Sequence, residues 1–137
     1  MKTMSAEVFA AGRLIAVLSV LGGAAQAADP AVGLWQTEPD RKNLTSHIEV
    51  TPCGDALCGK VVAAYDASGA EVRTKNVGKR LFWDLRPEGN GLYGGGTVYV
   101  PLLDVTARAK ARLAGNRLEV TGCKGPVCDG QVWSRVR

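Results

Sequence analysis

Apolar and polar residues alternate along most of the chain after residue 31, as in β-strands that bury one face. The clearest run is residues 105–113, in which valine, alanine and leucine alternate with threonine, arginine and lysine. The pattern predicts eight short strands, at residues 32–37, 44–50, 59–65, 80–85, 92–100, 105–113, 117–121 and 131–137. Glycine, proline and asparagine separate these runs, and residues 66–79 form the longest predicted connection.

Eight short strands joined mostly by hairpins predict an all-β fold. An antiparallel up-and-down barrel is favoured because closing the sheet removes its two exposed edges. The alternative is an open sandwich of two sheets. An eight-stranded barrel is either filled by its own side chains or holds one small ligand.

The N-terminus has the features of a secretory signal peptide. Lys2 and Arg13 precede an apolar run at residues 14–21, and Ala25-Gln26-Ala27 fits a cleavage site. The apolar run is shorter than the roughly 20 residues that span a bilayer, so no transmembrane segment is expected in the mature protein. We therefore predict a signal peptide at 1–27, one domain at 28–137, and a periplasmic or secreted location.

Four cysteines form two pairs with the same spacing, Cys53 with Cys58 and Cys123 with Cys128. In an oxidising compartment such pairs favour disulfides, and pairing within each turn is the simplest of three connectivities. A zinc site and a redox pair are the alternatives. Zinc knuckles use tighter spacing and redox pairs use C-x-x-C, so neither alternative is favoured.

Several motifs occur in a characteristic order along the chain: Gly33-x-Trp35, the CGDALCG turn at 53–59, Asn76, Tyr93-x-Gly95-Gly96, Gly122-Cys123 and Trp133-Ser134-Arg135. Together they resemble an exported bacterial family, domain of unknown function 2147. The resemblance implies a small lipocalin-like β-barrel. It also implies that Arg135, or as second choice Arg137, lies across Trp35 and closes one end of the barrel. The chain departs from the family at Leu102-Leu103-Asp104, where many members have an acidic-glycine turn.

Little in the chain points to catalysis, and we predict no enzyme activity, no cofactor and no metal. The lone histidine, His47, falls on the polar face of its strand and is expected to be solvated. The glycine run 94–96 is not followed by a helix that could bind a phosphate, so a strand bend or bulge is expected there.

The apolar face of residues 105–113 includes Ala107, Ala109 and Ala111, which fill little volume. If this face points inward, either large side chains fill the space or a cavity remains for a slender apolar ligand. The candidate ligand-binding residues are these three alanines with Phe82, Trp83 and Tyr99. The predicted function is non-enzymatic binding of a lipid-like or fatty-acid-like molecule.

The opposite face carries a basic stripe: Arg108, Lys110, Arg112 and, across the hairpin, Arg117. The alternative function is an interaction module with a filled core that binds an anionic envelope component through this stripe. Net charge is only +4 for the whole chain, and the stripe has no interleaved aromatics, so a nucleic-acid partner is not expected.

Overall fold

A computed structural model describes residues 12, 16–17, 19 and 27–137. The predicted signal peptide at 1–27 therefore lies almost wholly outside the described residues. The predicted domain, residues 28–137, lies within them.

The described residues form nine β-strands in one sheet, where the sequence predicted eight. Their bounds are β1 Gly33–Gln36, β2 Thr45–Cys53, β3 Ala56–Tyr65, β4 Glu71–Val72, β5 Arg80–Gly89, β6 Leu92–Val100, β7 Val105–Ala114, β8 Arg117–Lys124 and β9 Val127–Arg135. The additional strand is β4, a two-residue strand within the connection predicted at 66–79. It pairs with the end of β3.

The other eight strands close into an antiparallel up-and-down barrel, as the alternation predicted. Each strand pairs with the next along the barrel, and β1 closes the ring by pairing with β9. Trp35 of β1 lies opposite Arg135 of β9. The prediction of a closed barrel is confirmed, and the alternative of an open sandwich is wrong.

The meander gives the barrel two different ends. At one end, called the closed end, are residues 29–32, the turn that follows Cys53, and the β5–β6 and β7–β8 hairpins. At the other, called the open end, are the connections 37–44 and 66–79 and the β6–β7 and β8–β9 hairpins.

The core lies inside the barrel and is apolar throughout. Its largest fully buried side chains are Trp35, Phe82, Ile48, Leu85, Leu118 and Val50. Packing is tight enough to require glycine at position 59, because a Cβ there would overlap the ring of Phe82. The rings of Phe82 and Trp133 are both buried in this core, with centroids 6.2 Å apart.

Candidate functional site

The closed end is sealed by Trp35 and Arg135. The Arg135 guanidinium lies 4.3 Å from the centroid of the Trp35 ring. It also donates hydrogen bonds to the carbonyl oxygens of Pro30, at 2.6 Å, and Val32, at 3.3 Å. The indole Nε1 of Trp35 donates to the carbonyl of Ala31 at 2.9 Å. The N-terminal segment is thereby held across this end of the barrel.

A second contact fastens the same segment to the core. The Tyr93 hydroxyl donates a hydrogen bond of 2.7 Å to Asp29 Oδ1. Burial, and then the Asp29 carboxylate, raise the pKa of Tyr93 well above its usual value. The phenol therefore stays protonated and remains a donor at ordinary pH.

Towards the open end, the inner face of β7 is lined by small side chains. Ala109 and Ala111 are buried, whereas Ala107, nearer the open end, is only half-buried. Gly122 is paired with Ala109 on the neighbouring strand β8, and a Cβ at Gly122 would lie 3.0 Å from Val98 Cγ1 and 3.5 Å from the Ala107 Cβ. The absence of a side chain at Gly122 thus leaves room for the side chain of Val98.

Two polar side chains complete this inner face. Gln131 and Asp129 pair with Val120 and Gly122 of β8, so the strand alternation turns them to the inner face, yet both are exposed. Gln131 Oε1 accepts a hydrogen bond of 3.1 Å from Trp133 Nε1. We call the region of Val98, Ala107, Gly122, Asp129 and Gln131 the mouth.

The sequence did not single out Asp129 and Gln131. The final strand was predicted to start at residue 131, whereas β9 starts at Val127. Counting back in steps of two from Trp133 would have placed both residues on the inner face.

Two of the predicted ligand-binding residues do not face the interior. Trp83 and Tyr99 pair with Thr97 and Thr106, on the outer face of the barrel. Side chains alternate along a strand, and Phe82 is already inside, so Trp83 must point outward. Phe82 is fully buried in the core.

The basic stripe lies on the outer face, as predicted for its strand. Arg108, Lys110 and Arg112 line a recess of about 630 Å³ above the glycine run 94–96, with Glu88 and Glu119 also in its wall. Arg117 pairs with Ser134 at the closed end, so it lies outside the set of residues lining the recess. Gly95 adopts φ of +70°, which fits the bulge expected there.

The cysteines form two disulfides, Cys53 with Cys58 and Cys123 with Cys128. The first spans the β2–β3 turn at the closed end, and the second the β8–β9 hairpin at the open end. The disulfide prediction is thus confirmed, and each bond joins the two strands of one turn.

His47 lies in a recess on the outside of the barrel at the open end. Its ring centroid is 4.6 Å from that of Tyr65, and its Nε2 lies 3.3 Å from Gln36 Oε1. The side chain is half-buried and not fully solvated as expected. Burial, followed by the positive charge of Arg137, lowers the pKa of His47, and Glu71 opposes that shift.

Among the described residues, no three His, Cys, Asp or Glu side chains are grouped as metal ligands would be. In the same part of the chain, no helix has the length and apolar character needed to cross a membrane.

The closed eight-stranded barrel and its sealed end define a lipocalin-like fold. Residues 33–135 match the family DUF2147, described as "Uncharacterized protein conserved in bacteria". The chain belongs to this family, as its motifs predicted. The two disulfides and the bacterial family are consistent with a location outside the cytoplasm.

The chain is also similar to a solved structure, "Protein HP1028 from the human pathogen Helicobacter pylori belongs to the lipocalin family". The TM-score is 0.62 at 18% sequence identity, over 81% of this chain and 85% of that one. At this identity the likeness concerns the fold. No curated protein matches the chain.

Proposed function

We propose that the protein is a non-enzymatic binding protein that holds a small apolar or amphiphilic molecule at the mouth of its barrel. The observation that supports this most is the contrast between the two halves of the interior. Trp35 is fully buried near the closed end, whereas the inner face of β7 towards the open end carries only the small, half-buried side chain of Ala107. Burying a slender apolar chain there would contribute about 25 cal/mol per Å² of apolar surface.

The polar side of the mouth favours one kind of ligand over another. Asp129 is exposed on the inner face, and its carboxylate repels an anionic head group while accepting hydrogen bonds from a hydroxyl or an amine. The preferred ligand therefore has an apolar chain and a neutral or cationic end. A fatty acid, with its carboxylate, fits less well.

The test compares ligand binding by two tryptophan variants of β7. Ala107→Trp fills the mouth, whereas Thr106→Trp places the same side chain outside on the adjacent residue. Titration calorimetry should show that wild type and Thr106→Trp both bind decylamine most tightly, decanol less tightly and decanoate most weakly. Ala107→Trp should bind at least roughly ten-fold more weakly. Equal binding by both variants would place the ligand elsewhere.

A second candidate function rests on the outer recess. Arg108 and Lys110 face Cys123 and Thr121 across the strand pair, so neither lies opposite a carboxylate. These two cations would receive an anionic envelope polymer in the recess, beside Glu88, whose carboxylate lies over Gly94. If so, Arg108→Glu with Lys110→Glu should abolish binding to that polymer and leave decylamine binding unchanged.

The predicted export fits both functions. We propose that residues 1–27 are removed and that residues 28–137 form the mature protein. Asp29 and Pro30, which hold the closed end, would then lie directly at the new N-terminus. A denaturing mass that includes residues 1–27 would exclude this processing.

A further inference from the structure

Large apolar side chains are exposed together at the open end of the barrel. Leu102 and Leu103, at the tip of the β6–β7 hairpin, are each 65% exposed, and Val127 on the β8–β9 hairpin is 71% exposed. Val77, in the connection before β5, is 38% exposed. Single exposed apolar residues are common, but these four lie on three separate connections at the same end of the barrel.

The segment beside this group is strongly basic. Residues 73–80 include four cations and no acidic residue: Arg73, Lys75, Lys79 and Arg80. This segment lies against β6, because Lys79 Nζ is 5.4 Å from the centroid of the Tyr99 ring. The nearest acidic residue on the hairpin, Asp104, accepts a hydrogen bond from the Tyr99 hydroxyl.

Two aromatic side chains lie on the outer face just below the leucines. Tyr99 is three residues before Leu102, and Trp83 lies across from Thr97 on the same face. The guanidinium of Arg80 stacks 4.8 Å from the centroid of the Trp83 ring. Both aromatics are half-buried. Tyrosine and tryptophan beside cations are typical of the interfacial layer of a membrane, where one side of the ring is apolar and the other is wet.

We propose that the open end docks on the surface of an anionic lipid bilayer. Leu102, Leu103 and Val127 enter the boundary between head groups and acyl chains, and the cations of residues 73–80 contact lipid phosphates. The apolar side chains stand on separate connections and form no continuous patch. A fluid bilayer receives such separate points, whereas a folded protein partner would need a matching surface.

This inference goes beyond the proposed ligand binding and depends on other residues. Docking in this orientation turns the mouth towards the bilayer, from which an amphiphile could enter. The two proposals nevertheless fail separately, because Ala107→Trp should block decylamine and leave vesicle binding unchanged.

The experiment is co-flotation of the exported protein with vesicles, after its mass has shown which N-terminal residues it retains. One vesicle preparation contains equal parts phosphatidylglycerol and phosphatidylcholine, and the other phosphatidylcholine alone. Wild type should bind the anionic vesicles, and the bound fraction should fall as salt increases. Leu102→Ser with Leu103→Ser should weaken the partition at least roughly ten-fold, because two exposed leucines no longer enter the bilayer.

The matched control is Leu92→Ser, which changes an exposed leucine, 45% accessible, at the closed end. It should bind vesicles as wild type does. Lys75→Glu with Lys79→Glu should lose binding to the anionic vesicles, whereas Arg117→Glu at the closed end should keep it. Urea unfolding midpoints show that each variant is folded.

Three results would overturn the proposal. The first is that wild type and the double serine variant bind the anionic vesicles equally well. The second is that Leu92→Ser loses as much vesicle binding as the double serine variant does. The third is a concentration-dependent dimer that the double serine variant abolishes, since that would assign the leucines to a second copy of the chain.

Discussion

Arg135 joins the last strand to the N-terminal segment through three different contacts. Its guanidinium stacks on Trp35 and donates to two backbone carbonyls. Replacing Arg135 by alanine should lower the free energy of unfolding by about 2 kcal/mol, from the lost stacking and charged hydrogen bonds.

Urea unfolding measures this change. Arg135→Lys should lower the free energy of unfolding less than Arg135→Ala does, because lysine keeps the charge. It should still be less stable than wild type, because lysine has no planar group to stack on the indole. Arg117→Ala, an exposed arginine at the same end, should change little. A loss for Arg117→Ala as large as that for Arg135→Ala would mean that the closed end is not held in this way.

His47 makes stability depend on pH. Its pKa is lowered in the folded state, chiefly by burial, so the unfolded chain binds the proton more readily. The neutral histidine therefore contributes fully above its unfolded pKa of about 6.5, and this contribution is lost as pH falls through the folded value.

Comparison with His47→Gln isolates this effect, since the two proteins differ in no other titratable group. The unfolding free energy of wild type should fall relative to the variant as pH drops below about 6.5. A difference that stays constant between neutral pH and pH 5, or a wild-type free energy of unfolding that rises relative to the variant as pH drops, would contradict the lowered pKa.

The two disulfides act at the scale of single turns. Each closes a loop with a sequence separation of 5 residues, one at each end of the barrel. Loops of equal length give equal chain-entropy terms, so replacing either pair by alanine should cost about 2 kcal/mol. Urea unfolding of the two double variants tests this, and a chain that no longer folds without one pair would show that the disulfide does more than close its turn.

Most strands could be predicted from alternation, because each has one face in the core and one in solvent. β4 was missed because a strand of two residues is too short to show alternation. β5 was predicted to end at Leu85 because Pro87 and Gly89 resemble a turn, but the strand continues to Gly89. Pro87 is tolerated on this strand because the β5–β6 ladder is irregular near its end.

The candidate site was predictable only in part. The inward alanines followed from the pattern of β7, yet the aromatics chosen as their partners, Trp83 and Tyr99, lie outside. Identifying the true neighbours of Ala107, which include Val98 and Gly122, requires the pairing of β6, β7 and β8. A single sequence does not specify that register.

At the scale of the whole molecule, the meander brings residues far apart in sequence to one end of the barrel. The mouth, the exposed leucines and the basic segment 73–80 all lie at the open end, while Trp35 and Arg135 seal the other. Which end is sealed could not be predicted, because it depends on where residues 29–32 cross the barrel. The arrangement suits a protein that takes up an amphiphile at a surface.

The most direct test is mass spectrometry of the exported protein under native and denaturing conditions. Under native conditions the protein should carry the mass of a bound ligand, either one retained from the cell or added decylamine. This added mass should be lost on denaturation and should be missing from Ala107→Trp. A wild-type protein that retains no added mass after incubation with decylamine would contradict a ligand site in the mouth. Binding of decylamine by Ala107→Trp as tight as that by wild type would also contradict a ligand site in the mouth.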